Sequence, residues 1–295
     1  MCERLFSIKS ISPSIQIEMK ALNLGCGSRF HPEFVNIDAV SSSPHVLAYD
    51  LQKGIPFPDA TFDVVYQSHL LEHFKKENAL DFLKECYRVL KLSGVIRVAV
   101  PDLEQIVRAY LDELEKALQR AGESERNYDW MVLELYDQAV RGRPGGAMLE
   151  YLKQDSIPNE AFVCQRIGVE ARRIIDALKK EASTSNSHHE RPRNYVARLR
   201  SIPRFFRARL LKMILSDEDY RALEIGRFRS EGEIHQWMYD RYSLGRILKR
   251  AGFQDPKAVR ADESRIPGWT AYHLDTEPDG TVCKPDSLFM EAVKL

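Results

Sequence analysis

The chain has 295 residues, room for one large domain or one domain with a sizeable insertion. It is 44% hydrophobic and 29% charged, the make-up of an ordinary globular protein. Lys+Arg and Asp+Glu both number 43, so no net field draws it to a polyanion, and nucleic acid is not an expected partner.

The start, "MCERLFSIKSISPSIQIEMK", lacks the continuous apolar segment of a signal peptide. No window approaches the roughly 18 apolar residues of a membrane span. Five cysteines (Cys2, Cys26, Cys86, Cys164, Cys283) are scattered without a C-x-x-C pair, which argues against a disulfide framework or a cysteine zinc site. A cytoplasmic location is expected.

Residues 19–27, "MKALNLGCG", read as a short apolar strand running into glycines. "FVNID" (34–38), "HVLAYD" (45–50) and "FDVVYQS" (62–68) are three further strands, each ending in a polar residue. Residues 76–91, "KENALDFLKECYRVLK", have helical periodicity, with Leu80, Leu83, Tyr87 and Leu90 on one face. "GVIRVAVP" (94–101) is a fifth strand, stopped by proline. Short buried strands alternating with turns and a helix predict an α/β fold with a mostly parallel sheet.

Beyond Pro101 the pattern changes. Residues 103–182 are helix-rich, 183–194 are polar and read as a mobile loop, and 195–214 form a basic helix-like stretch. The arginines around Phe205 and Phe206 read as a solvated helix rather than a nucleic-acid surface, given the zero net charge. From 241 the α/β pattern returns with the helix "RYSLGRILKRAGF", the strand "KAVRADE" and a last strand "SLFMEAVKL". The expected organisation is a core of 1–102 and 235–295 interrupted by a helical insertion, 103–234, that covers the acceptor side.

Gly25 and Gly27 end the first strand, where glycine lets the backbone approach a ligand at the carboxyl edge of a sheet. A dinucleotide fingerprint wants a third glycine near position 30, which is Phe30. Alone, G-x-G is equally a tight turn. The acids that end the next two strands, Asp38 and Asp50, strengthen the ligand reading, because an acid at the second strand's end is the usual partner of two ribose hydroxyls.

The succession "LNLGCGS", "VNID", "YDLQKGIPF", "FDVVYQSHLLEHF", "YRVLKLSGVIRVAVPD" resembles the class I S-adenosylmethionine-dependent methyltransferases of type 11. The resemblance covers about residues 20–102 and, through the closing helix and strands, 241–295. It implies a Rossmann-like fold with a seven-stranded sheet and S-adenosylmethionine as cofactor. Leu24, Gly25, Cys26 and Gly27 would then line the amino-acid end of the cofactor, and Asp38 would hold the ribose. Asp50 and Leu51 would sit by the adenine, while Gln67 and Ser68 would contact the methionine portion. Two departures stand out. Only residues 28–34 lie between the glycine loop and the second strand, too few for a full crossover helix, and "KLSG" replaces the common "KPGG".

"SHLLEHF" (68–74) contains His69-x-x-Glu72-His73, which in another architecture would spell a zinc peptidase. Here it follows the fourth strand and is expected to begin the next helix, with all three side chains on one face. Two readings stay open. In one, Leu71, Glu72 and His73 are structural, since "LEH" is frequent in methyltransferases that need no metal. In the other, His69, Glu72 and His73 bind a divalent metal completed by His235 of "GEIHQWMYDRYSL". The small-RNA 2′-O-methyltransferases and ubiquinone-pathway O-methyltransferases carry a similar E-x-x-E-H here. Such ligands suit manganese, zinc or iron better than magnesium. A metal would lower the pKa of an acceptor hydroxyl, and without one His69 or His235 is the candidate general base beside His73.

Trp237, Tyr239, Arg265 and Trp269 lie in aromatic and arginine-rich segments that either face a sugar ring or belong to the core. Those segments, and "DGTVCKPDSLFMEAVK" (279–294), resemble bacterial methyltransferases of surface-polysaccharide and other sugar-modifying pathways. The expected function is O-methylation of a sugar, glycan or related small metabolite. The alternatives are N-methylation of an amino sugar or other small molecule, a nicotinamide-dependent oxidoreductase, or a binding module that retains the cofactor fold without catalysis.

Overall fold

A computed structural model of the chain describes residues 19–120, 122, 124–184, 209, 211–230 and 232–295. Most of the expected polar loop and basic stretch, 185–208, lies outside these residues. The strands are β1 (Ala21–Leu24), β2 (Phe34–Asp38), β3 (Val46–Ala48), β4 (Phe62–Ser68), β5 (Leu90–Pro101), β6 (Gln254–Val259) and β7 (Ser287–Val293). The helices are α1 (Lys76–Val89), α2 (Leu103–Leu118), α3 (Ser124–Val140), α4 (Gly146–Leu152), α5 (Glu160–Ile167), α6 (Val169–Thr184), α7 (Asp217–Ser230) and α8 (Arg241–Arg250).

The strands form one sheet in the order β3-β2-β1-β4-β5-β7-β6, with β7 antiparallel to both its neighbours. The β1–β2, β2–β3, β1–β4 and β4–β5 pairs are all parallel. This is the α/β fold with a mostly parallel sheet that the strand pattern predicts, with the seven strands of the Rossmann-like fold that the resemblance implies. Side chains alternate across it, as pleated strands require. Leu22, Leu24, Val65, Ile96 and Val98 pack on one face with Phe82 and Leu83 of α1 and Leu244 and Leu248 of α8. Each such buried side chain contributes about 1.5–3 kcal/mol.

The opposite face shows what the short β1–β2 connection costs. Residues 25–33 form turns and no helix, so nothing from that connection covers β1 and β4. The segment before β7 does so instead. Ile266, Trp269 and Leu274 pack on Ala21, Phe34, Val64 and Tyr66. A fully buried Arg97 on β5 fastens this cover. Its guanidinium donates to Asp275 and Glu291, each at 2.7 Å, and to the carbonyls of Arg260, Ala261 and Glu263. Tyr66 donates its hydroxyl to Asp275 at 2.6 Å.

Two element boundaries differ from the sequence expectation. The fifth strand begins at Leu90, which pairs with Phe62, so α1 passes into β5 without a loop. The sixth strand occupies 254–259 rather than "KAVRADE". The carbonyls of Arg260 and Ala261 accept from Arg97 instead of continuing the ladder, and Pro256 is tolerated because β6 is an edge strand.

Between β5 and α8, α2 to α6 build a second apolar cluster around Ile106, Trp130, Met131, Val163 and Ile175. No described helix is long and apolar enough to cross a membrane.

Candidate active site

The glycine loop is held open by its own backbone bonds. Gly25 and Gly27 both have positive φ, +64° and +54°, which a residue with a Cβ adopts only at a cost. A Cβ on Gly25 would stand 2.8 Å from Leu70, so this loop lies against the "SHLLEHF" segment. Gly27 leaves open space where a side chain would stand. Its N–H donates to Asp38 Oδ2 at 2.8 Å, and Val40 N–H donates to Oδ1 at 3.3 Å. Asp38 thus ties β2 to the loop while staying half-exposed at the strand's carboxyl end. Asp50 caps the turn Leu51–Lys53 by accepting from Gln52 N–H, and Leu51 is buried beside it.

Leu24 is fully buried, and Cys26 is buried as a neutral thiol, raised to about 11 by desolvation and then by Asp38. Gln67, the penultimate residue of β4, has its whole side-chain amide buried with no partner for either polar atom. Ser68, next to it, is half-buried.

The "HLLEH" segment corrects one expectation. It does not begin a helix. His69 has φ +52°, Leu71–His73 form a single 3-10 turn, and α1 starts only at Lys76. Tertiary pairing overrides the helical spacing, because His69 N–H donates to Ala99 O on β5 at 2.9 Å and prolongs the β4 alignment. The three side chains therefore do not share a helical face.

Two of them nevertheless meet His235. Donor atoms of Glu72, His73 and His235 all lie within 4.8 Å of one another, and the rings of His73 and His235 are edge-to-face at 5.0 Å. The backbone explains the meeting. Glu72 O accepts from Gln236 N–H at 2.7 Å and from Trp237 N–H at 3.2 Å, while His235 N–H donates to Gln138 O of α3. The chain then enters α8 through a capping box made by Asp240 and Ser243. His73 Nδ1 lies 3.1 Å from Ile234 O, and since a carbonyl only accepts, the proton sits on Nδ1 and Nε2 is bare. His69 stands apart from this donor set, with Nε2 at 2.7 Å from Ser287 Oγ and Nδ1 at 3.6 Å from Glu72 Oε1.

Burial sets the charge states. Glu72 is 0% exposed with neither carboxylate oxygen partnered, and desolvation pushes its pKa up to about 8. Desolvation holds His69 and His73 below the ordinary imidazole range and His235 down at about 3, so all three are neutral at pH 7. The Lys284 ammonium depresses all three further. An unpartnered buried carboxyl costs about 1–3 kcal/mol, and more if it is charged. A divalent cation fits here, because it would satisfy Glu72 and the bare histidine nitrogens together.

The four expected acceptor residues separate. Tyr239 is 2% exposed, with a hydroxyl that has no partner and is raised well above its usual value by burial and then by Glu72; it belongs to the edge of the site. Trp237 is partly exposed and stacks under Lys76, 4.1 Å from the ring centre. Arg265 is pinned at the β6 edge by Asp255 at 2.6 Å, and Trp269 is a core residue under Arg97. Neither joins the Glu72 cluster, because their segment fills the place of the missing crossover helix.

Sequence reasoning missed Asp286 and Ser287. Asp286 is buried with Oδ1 unpartnered and raised to about 7 by desolvation, then Glu134. "KPDS" reads locally as a turn, so only the β5–β7 pairing reveals its place. A cavity of about 680 Å³ adjoins the cluster, reaching from Leu51 and Gly54 past His73 and Asn78 to Arg229 and Gln236.

Residues 22–98 match the family model described as a methyltransferase domain. No curated protein matches the chain in sequence. Among solved structures, the YcgJ protein from Bacillus subtilis is 19% identical over 33% of this chain and 51% of its own, with a TM-score of 0.25. A SAM-dependent methyltransferase from Archaeoglobus fulgidus is 12% identical, covering 94% of this chain and 86% of its own, TM-score 0.36. A possible histamine N-methyltransferase from Thermotoga maritima is 12% identical, covering 95% and 84%, TM-score 0.37. The chain thus spans about half the length of YcgJ.

Proposed function

We propose, for a chain that carries a class I S-adenosylmethionine-dependent methyltransferase domain, that it methylates a hydroxyl of a sugar, glycan or related small metabolite with the help of a divalent cation. The single observation that carries this reading is the fully buried, unpartnered Glu72 carboxyl beside His73 and His235. It lies one short turn from the loop of Gly25 and Gly27, where the cofactor belongs.

S-adenosylmethionine supplies an electrophilic methyl group on a sulfonium. The residues that fit it are Gly27, which leaves open space for a close ligand, with Gly25 beside it, Asp38 for the ribose hydroxyls, Asp50 and Leu51 for the adenine, and the unpartnered amide of Gln67. Leu24, Cys26 and Ser68 complete the wall.

Glu72, His73 and His235 would hold a cation of the manganese, zinc or iron type, which supplies Lewis acidity toward an acceptor oxygen. The imidazoles of His73 and His235 are neutral at pH 7 and would offer their lone pairs to the cation, whereas Glu72 is protonated there until a cation displaces its proton. Methylating a hydroxyl frees one proton, which would leave to solvent through the cavity that adjoins the cluster. Tyr239 and Asp286 bring further unpartnered polar atoms to the same edge, which suits an acceptor with several hydroxyls. The insertion meets the strap 234–237 where Gln138 O of α3 accepts from His235 N–H, and in this reading it covers the acceptor.

The test is calorimetry with S-adenosylmethionine and with NAD, followed by manganese titration of the chelated protein. The reading predicts binding of the sulfonium cofactor and of one manganese per chain. NAD binding in its place refutes the cofactor assignment, and absence of cation uptake refutes metal assistance.

A further inference from the structure

We infer that His69 is a positioning residue that orients Glu72 from Ser287, and not a fourth cation ligand. This rests on the cation reading of Glu72, His73 and His235, and deepens it.

The imidazole of His69 is hydrogen-bonded on one side and faces the Glu72 carboxyl on the other. Nε2 lies 2.7 Å from Ser287 Oγ, and Nδ1 faces Glu72 Oε1 at 3.6 Å. The compact donor group contains Glu72, His73 and His235 but not His69. The backbone is arranged for this contact. His69 keeps φ +52°, unfavourable for a residue with a Cβ, and its N–H is fixed on Ala99 O at 2.9 Å. In that conformation Nε2 reaches Ser287 at the start of β7.

Ser287 is equally fixed. It pairs with Pro101 across the antiparallel β5–β7 ladder, and its N–H donates to Lys284 O at 3.2 Å. Two strands from opposite ends of the chain therefore set the Ser287–His69 contact, and that contact faces the one carboxyl in the donor set. Glu72 itself sits in a single 3-10 turn, with no hydrogen-bond partner for either carboxylate oxygen. A carboxylate ligand on so short an element needs an outside group to choose its rotamer. Outer groups of this kind change metal affinity by about 10–100-fold when removed.

The experiment is isothermal titration of manganese into the chelated full-length protein and four variants, with far-UV circular dichroism to confirm folding. Glu72→Gln is expected to lose binding. Ser287→Ala and His69→Ala are each expected to weaken it about 10–100-fold, and Ser287→Thr, which keeps the hydroxyl, to restore it. Unchanged affinity in Ser287→Ala overturns the inference. So does a His69→Ala variant that loses binding as completely as Glu72→Gln, because His69 would then be a ligand. If the unaltered protein takes up no manganese, zinc or iron, the cation reading fails by itself. The positioning contact is then read in the metal-free protein by the ring 15N resonances of His69 and the carboxyl 13C resonance of Glu72. Ser287→Ala is expected to move the first and His69→Ala the second, and resonances that stay in place overturn the inference.

Discussion

Replacing Glu72 by glutamine should make the metal-free protein more stable, and the gain should grow with pH. Glu72 is fully buried, and desolvation raises its pKa from 4.5 to about 8. An acid raised in this way keeps its proton in the folded state after the unfolded chain has released it. Stability is therefore fully present below about pH 4.5 and falls as pH rises toward 8, then levels off. Each pH unit in that window is worth about 1.4 kcal/mol, so the loss across it is about 5 kcal/mol, and about 3 kcal/mol of it has accrued by pH 7. Glutamine has a similar shape and cannot ionise. Its amide meets the same lack of partners as the protonated acid, so the two proteins should be about equally stable near pH 4.5 and diverge above it. Asp286 is raised in both and largely cancels in the difference. The assay is urea unfolding of both proteins in chelator at half-unit steps from pH 4.5 to 9. A stability difference that is flat with pH would refute the reasoning, because it would mean that Glu72 ionises freely in the folded state.

Asp38→Ala should weaken S-adenosylmethionine binding roughly 10–150-fold, the loss of about 1.5–3 kcal/mol for a charged acceptor on two hydroxyls; calorimetry with unchanged affinity removes Asp38 from the ribose. Arg97→Met leaves Asp275 and Glu291 buried without their cation, and should lower unfolding free energy by about 3–5 kcal/mol in denaturant titration; a change below about 1 kcal/mol would show that the network does not fasten the cover. Trp269→Ala should cost about 3–5 kcal/mol of stability while leaving cofactor affinity intact, and a selective loss of activity at normal stability would return Trp269 to the acceptor side.

The strands β2, β3 and β4 were legible because each belongs to a short run ended by a polar residue, and such runs specify themselves locally. "LNLGCGS" and Asp38 were legible for the same reason: strand, glycine turn and acid follow one another in sequence. The "HLLEH" segment was legible in composition but not in shape. Its i, i+3, i+4 spacing favours a helix, yet the β5 carbonyl of Ala99 captures the His69 amide and keeps the chain out of one. Glu72, His73 and His235 come together through backbone bonds between residues 72 and 236, which no local pattern announces. Trp269 stayed open between the two readings because an aromatic beside an arginine suits a sugar as well as a core. Two signals pointed to the core. The loop 28–34 is too short for a helix, so one face of the sheet had to be covered from elsewhere. An arginine in the middle of "GVIRVAVP" also needed buried acids, and Asp275 and Glu291 provide them.

The most direct test of the account is methyl transfer from radiolabelled S-adenosylmethionine to small-molecule acceptors, offered as a sugar and nucleotide-sugar panel and as a metabolite extract. Each reaction is run after exhaustive chelation and again with manganese, zinc or iron restored. The account predicts label in a hydroxyl-bearing acceptor with cation present, loss of transfer on chelation, and no recovery in Glu72→Gln. Transfer that continues undiminished after chelation and in Glu72→Gln would contradict it.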